Sequence, residues 1–225
     1  MAYVYTVNSN PRPRKILSNL VSLNTIFIII NVLAFILFTA LISLKVVSID
    51  VIAIKPSNIL AGKYLWTFLT SMFMHAGFFH LLVNMLSLMF IGSLVEKIIG
   101  KRRYFWFYML SGIFAGVFFV LMSLIFTRDF GLYAVGASGA LFGLIGLLML
   151  LTPNLPVYIM FIPIPIKMKY AAPGMLILLW IISVAGNISI GNTAHLGGLI
   201  VGLIYGLFLR TKYKNKTSYI RKHFS

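Results

Sequence analysis

Read as apolar and polar positions, the chain resolves into six long apolar runs separated by short polar breaks. They extend from Thr25 to Leu44, Phe78 to Ile99, Tyr104 to Phe126, Leu132 to Thr152, Pro173 to Ile190 and Thr193 to Leu209. A helix needs roughly 20 mostly apolar residues to cross a bilayer, and each run meets or approaches that length. The pattern predicts an all-α polytopic membrane protein with six transmembrane helices. The connection from Lys45 to Gly77 is too long for an ordinary loop and carries Trp66, Phe68 and Phe73. It reads as a segment partly embedded in the outer leaflet.

Charge orients the runs. Arg12, Arg14 and Lys15 precede the first, Lys97 to Arg103 separate the second and third, and Lys167 and Lys169 separate the fourth and fifth. Arg210 and the bases after it follow the sixth. Six spans place all four groups on one side, so both termini are expected to be cytoplasmic. Lys45, Lys55, Lys63 and Arg128 fall on the other side. The chain divides into a basic tail (1–24), a membrane domain (25–210) and a second basic tail (211–225). Residues 1–24 lack the short apolar core of a signal peptide, and the default location is the cell membrane.

Composition agrees with the pattern. Of 225 residues, 60% are hydrophobic and 10% charged, where soluble domains are nearer one-quarter charged. The net charge of +16 reads as topology and not as nucleic-acid binding. The C-terminal bases can meet anionic lipid. Without cysteine, disulfides and thiol catalysis are excluded. Gly198, Gly202 and Gly206 recur at four-residue spacing in the sixth run, and Gly136, Gly139, Gly143 and Gly146 lie in the fourth. Small residues so placed let helices approach closely in lipid, so the fourth and sixth helices are expected to pack together. Gly112 and Gly116 read as generic glycine enrichment.

Polar groups within a span are costly and mark function. His80 and Asn84 lie in the second run, Ser138 in the fourth and His195 in the sixth. These three runs go from outside to inside, so all four residues fall in one layer below the outer surface. Ser138 sits about six residues into its run, ~9 Å along a helix. Serine becomes a nucleophile when a base takes its proton, and His195 is the base at that depth. His80 and Asn84, at i and i+4 on one face, are suited to donate hydrogen bonds to a developing oxyanion. Glu96 lies ~24 Å further down the helix of His80. A Ser–His dyad is the simpler arrangement, with Asp50 and Asp129 in the outer connections left as possible third members. His75 reads as structural, and Glu96 as a group that caps or pairs at the inner boundary. A zinc site lacks its third and fourth ligands.

Three segments carry a family resemblance: HAGFFHLLVNM (His75 to Met85), GASGALFG (Gly136 to Gly143) and AHLGGLIVG (Ala194 to Gly202). Together, and on the second, fourth and sixth runs, they resemble the rhomboid intramembrane serine proteases. The resemblance covers roughly Leu60 to Leu209. It implies a six-helix rhomboid-like bundle, with Ser138 as nucleophile and His195 as general base. It further implies that His80, Asn84 and the Ser138 N–H are oxyanion donors, and that Phe142 packs on the histidine. Substrates would be single-span membrane proteins, and no cofactor is implied. Many members carry a Trp–Arg pair in the first loop, whereas Trp66 is followed here by Thr67.

Two other readings compete. A catalytically silent member of the same fold would bind membrane clients without cutting them. A small transporter would show repeats and broken helices at the midplane; no convincing repeat is visible. A soluble G-x-S-x-G hydrolase is excluded by the spans and by Ala140 at the last glycine position.

Overall fold

The computed structural model describes residues 21–159, 164–188 and 190–224. The predicted basic groups at Arg12, Arg14 and Lys15 lie outside them. Among the described residues, five helices are long and apolar enough to cross a membrane: Leu23–Ser43, Phe78–Ile99, Lys101–Met122, Met168–Ala185 and Asn192–Lys212. A shorter apolar helix, Ser138–Leu151, completes the predicted six. The chain is a multi-pass helical membrane protein.

In chain order, α1 is Leu23–Ser43, and the long connection after it holds two short helices, α2 (Pro56–Leu60) and α3 (Thr67–Thr70). The second span is α4 (Phe78–Ser87) and α5 (Ser93–Ile99), joined by a π turn at Leu88–Gly92. Then come α6 (Lys101–Met122), α7 (Ser138–Leu151), α8 (Met168–Ala185), α9 (Asn192–Lys212) and α10 (Lys214–His223). An antiparallel pair of two-residue strands, β1 (Pro156–Val157) and β2 (Ile166–Lys167), links α7 to α8.

The helix α7 is central, and every residue from Gly139 to Leu148 is buried. It packs on α9 as the glycine spacing predicts, through backbone contact. A Cβ on Gly202 would stand 2.8 Å from the Leu147 nitrogen, and one on Gly198 would strike the Gly139 carbonyl. Without a side chain at these positions, the two helices meet at dispersion distance along their length. Gly112 and Gly116 have a specific use, contrary to the generic reading. Their missing Cβ atoms make room for Met72 and Ile54 of the first loop, whose Sδ and Cδ1 would lie at 2.8 and 2.7 Å. That loop is therefore seated on α6, with Ile52, Ala53, Ile54, Met72 and Met74 buried.

The polar groups at the far end from Ser138 are structural. The π turn frees the Leu88 carbonyl, which accepts from Asn24 Nδ2 at 2.8 Å. Tyr104 donates to Asn24 Oδ1 at 2.6 Å. The Glu96 carboxylate accepts the N–H groups of Leu23 (3.0 Å) and Asn24 (2.8 Å). Those donors open α1 and have no partner within the helix, so Glu96 caps a different span from its own. Beyond α9, the chain forms α10 with Thr217 buried beneath it; the second basic tail is helical from Lys214 to His223.

The fourth run departs from its prediction. Leu132 to Ala137 are not helical, and α7 begins at Ser138 itself. The cause is local: Gly136 takes φ +122°, a conformation that ends regular structure and that side chains disfavour. Residues upstream of it pair with the first loop instead. The fifth helix starts at Met168, five residues ahead of Pro173, because Met168, Ala171 and Ala172 are buried against the bundle.

Candidate active site

Ser138 is delivered to the first position of α7 by pairing between two loops. Ile54 and Ala134 exchange backbone hydrogen bonds at 3.1 and 2.8 Å, and the Gly136 N–H donates to the Ser71 carbonyl at 2.8 Å. The first N–H groups of a helix lack intrahelical acceptors and carry its positive dipole end. Ser138 therefore stands at the donor end of α7. A Cβ on Gly136 would lie 2.9 Å from His80 Nε2 and 3.7 Å from Ser138 Oγ. Glycine at this position lets the α4 and α7 groups share one space.

The helix α9 is capped by Gly191, whose φ of +67° turns the chain inward, and its first buried turns bring in His195. The imidazole is stacked on Phe142, with ring centres 4.6 Å apart and planes 18° apart. Its Nε2 is 2.8 Å from Ser138 Oγ. Its buried Nδ1 has no hydrogen-bond partner among the described residues. Neither outer carboxylate reaches it. Asp50 accepts from Tyr133 (2.8 Å) and Asn58 (2.7 Å), and Asp129 accepts from Thr193 at 3.3 Å. Among the described residues, neither carboxylate therefore forms a third member beside the Ser138–His195 pair.

The α4 residues arrive on the same side. His80 Nδ1 accepts the Ala76 N–H at 3.4 Å, which assigns the ring proton to Nε2, on the edge of the ring that faces Gly136. Asn84 is buried, and its Nδ2 donates to the His80 carbonyl at 2.9 Å. One of its two amide protons is thus held by its own helix. His75 is fully buried, edge-on to His80 with ring centres 5.2 Å apart.

Two features of the site have no short-range sequence signal. The Trp–Arg pair is missing, yet the loop is tied down: Trp66 Nε1 donates to the Val51 carbonyl at 2.9 Å. The Asp50–Tyr133 bond spans 83 residues and joins the loop to the segment that carries Ser138. The Tyr133 hydroxyl, then the Asn58 amide, hold the Asp50 carboxyl below the usual carboxylate range. Burial pushes the Asp129 carboxyl up, against the opposing pull of the Thr193 hydroxyl and Arg128.

Comparison with known proteins adds to this geometry. Residues 62–212 match a family model described as the Rhomboid domain. The chain is 39% identical over 170 residues to RHOMBOID-like protein 1 of Arabidopsis thaliana, covering 72% of this chain and 39% of the relative. It is 31% identical over 147 residues to Rhomboid protein 1, mitochondrial, of Saccharomyces cerevisiae, covering 62% and 40%. It also matches the Arabidopsis protein named Inactive RHOMBOID-like protein 8, at 40% identity over 82 residues, covering 36% and 22%. The aligned stretches make up less than half the length of these relatives.

Proposed function

Because the chain belongs to the rhomboid family, we propose that it is a serine endopeptidase that cuts transmembrane-helix substrates within the bilayer. The family is one of intramembrane proteases with some inactive members. The observation that carries the reading is the 2.8 Å approach of His195 Nε2 to Ser138 Oγ, a hydrogen-bond distance suited to general-base activation.

A substrate helix enters from the side, unwinds locally and presents a carbonyl to Ser138. Its hydroxyl proton passes to His195 Nε2 as the Oγ–C bond forms. His80 Nε2–H, the free amide proton of Asn84 and the N–H at the start of α7 hold the oxyanion. The imidazolium then gives its proton to the leaving amine, and water, activated in turn by His195, releases the acyl-enzyme. Phe142 fixes the ring plane, a role that a carboxylate on Nδ1 would otherwise fill.

The substrates are single-span membrane proteins. The protein lies in the cell membrane with both termini on the cytoplasmic side, so that Ser138 faces outward and the α5–α6 bases face inward. One relative's name marks it inactive, which keeps a silent, client-binding role as the competing reading; Ser138 and His195 are both present here. The reconstituted protein is tested with a fluorophosphonate probe and a single-span reporter substrate. Labelling and cleavage that both vanish in Ser138→Ala support the protease. A wild-type protein that neither labels nor cuts leaves the silent role.

A further inference from the structure

A cavity of about 290 Å³ opens at the outer end of the bundle, one helical turn from His195. Its floor is the start of α9, where Asn192 lies three residues before His195 and hence on a neighbouring part of the same face. Phe119, Tyr133 and Trp180 form walls, and Arg128, Asp129, Ser183, Asn192 and Thr193 supply the polar lining.

The lining holds both a guanidinium, Arg128, and a carboxylate, Asp129. Thr193 donates to Asp129, Ser183 donates to the Ile188 carbonyl at 2.5 Å, and one N–H of the Arg128 guanidinium donates to Asn187 at 2.6 Å. Arg128 itself is exposed, whereas the buried group of this lining without a hydrogen-bond partner among the described residues is an acceptor. Asn192 is 7% exposed, and its Oδ1 has no hydrogen-bond partner among the described residues. A buried carbonyl left so is costly. The Asp129 carboxylate offers about four acceptor sites, of which Thr193 fills one through a long bond. A carboxylate and an orphaned amide oxygen between aromatic faces match a cation with several N–H donors, bound by charge-assisted hydrogen bonds and by the rings.

We propose that this cavity is a substrate-recognition site for a lysine ammonium or arginine guanidinium in the outer flank of the substrate, held by Asp129 and Asn192. The inference rests on the protease reading, and it adds an anchor beside the dyad that fixes the substrate segment outside the membrane. Asp129 and Asn192 are here binding residues and take no part in bond cleavage.

The test uses the full-length protein in vesicles and a single-span reporter whose outer flank carries one lysine, moved one position at a time through an otherwise uncharged sequence. One register should raise kcat/KM about tenfold or more over alanine, chiefly through KM, as a charge-assisted hydrogen bond implies. The lysine-to-alanine ratio should collapse towards one in Asp129→Asn and in Asn192→Leu, and survive in Asp129→Glu. Being a ratio, it is insensitive to a general loss of activity. Binding of the same labelled substrates to Ser138→Ala protein, read by fluorescence anisotropy, should show the same preference without any cleavage. A lysine preference in binding alongside no cleavage by the wild type would sink the protease reading and keep the cation site. No lysine-favouring register in either assay overturns the site, as does a preference that persists in Asp129→Asn. A gain that follows the phosphatidylethanolamine content of the vesicles, and not the substrate lysine, also overturns it by assigning the cavity to a lipid ammonium.

Discussion

His195 Nε2 and Ser138 Oγ stand 2.8 Å apart across the interface of α7 and α9, although 57 residues separate them in the chain. The glycine-lined contact of the two helices makes the distance possible. With Phe142 stacked on the ring, the imidazole is held by packing in place of a carboxylate.

If the two residues act as one unit, removing either removes the whole effect. Ser138→Ala and His195→Ala are each expected to lower kcat by at least ~10³-fold, and the double variant to be no worse than the single ones, as such units are strongly non-additive. Single-turnover cleavage of a reporter substrate measures this. Additive losses would mean that the residues act separately.

The oxyanion donors should give a partial phenotype. His80→Ala and Asn84→Ala are each expected to reduce kcat by ~10²–10³-fold, the usual cost of one such donor, with KM little changed. A rise in KM at constant kcat would instead assign them to ground-state binding.

Gly136→Ala tests the delivery of Ser138. The residue holds φ +122° and leaves space for His80, so a methyl group meets both backbone strain and the imidazole. Strain of this type costs about 1–3 kcal/mol. Cleavage should fall sharply, while circular dichroism keeps its helical signal.

Gly202→Ala probes the helix contact away from the chemistry. The added carbon would stand 2.8 Å from the Leu147 nitrogen, and backbone cannot rotate aside as a side chain can. Overpacking of about 1–3 kcal/mol is expected. Thermal unfolding in detergent should register it, whereas Gly174→Ala, with open space around it, should be near neutral.

The Asp50–Tyr133 tie predicts a pH dependence of the loop. Tyr133, then Asn58, lower the folded-state pKa of Asp50. Its contribution is therefore present above the unfolded carboxylate value of about 3.9 and is lost as pH falls through the lower folded value. Limited proteolysis of the Lys45–Gly77 connection should accelerate in acid for the wild type. In Tyr133→Phe the connection should already be more easily cut at neutral pH, with a smaller acid response. Equal rates in both proteins would deny the tie a role in holding the loop.

What the sequence determined by itself is what depends on local composition and spacing. Apolar run length fixes the spans, because unsatisfied backbone in lipid is too costly for other structures. Glycines four apart fix which helix faces meet, since only they permit backbone contact. His80, Asn84, Ser138 and His195 were legible as one polar layer because polar side chains in such a setting are rare and the expected topology sets depth. Where α7 begins was not legible. Leu132 to Ala137 are apolar enough to continue a helix, but their backbone pairs with Ile54 and Ser71, residues more than 60 positions away. The same holds for Glu96, whose partners are the first N–H groups of α1, and for the Asp50–Tyr133 bond. The outer cavity joins Asp129, Trp180 and Asn192 from three separate parts of the chain. Tertiary structure alone decided these features, because each is a pairing of groups whose mutual distance is set by packing and leaves no periodic trace in the sequence.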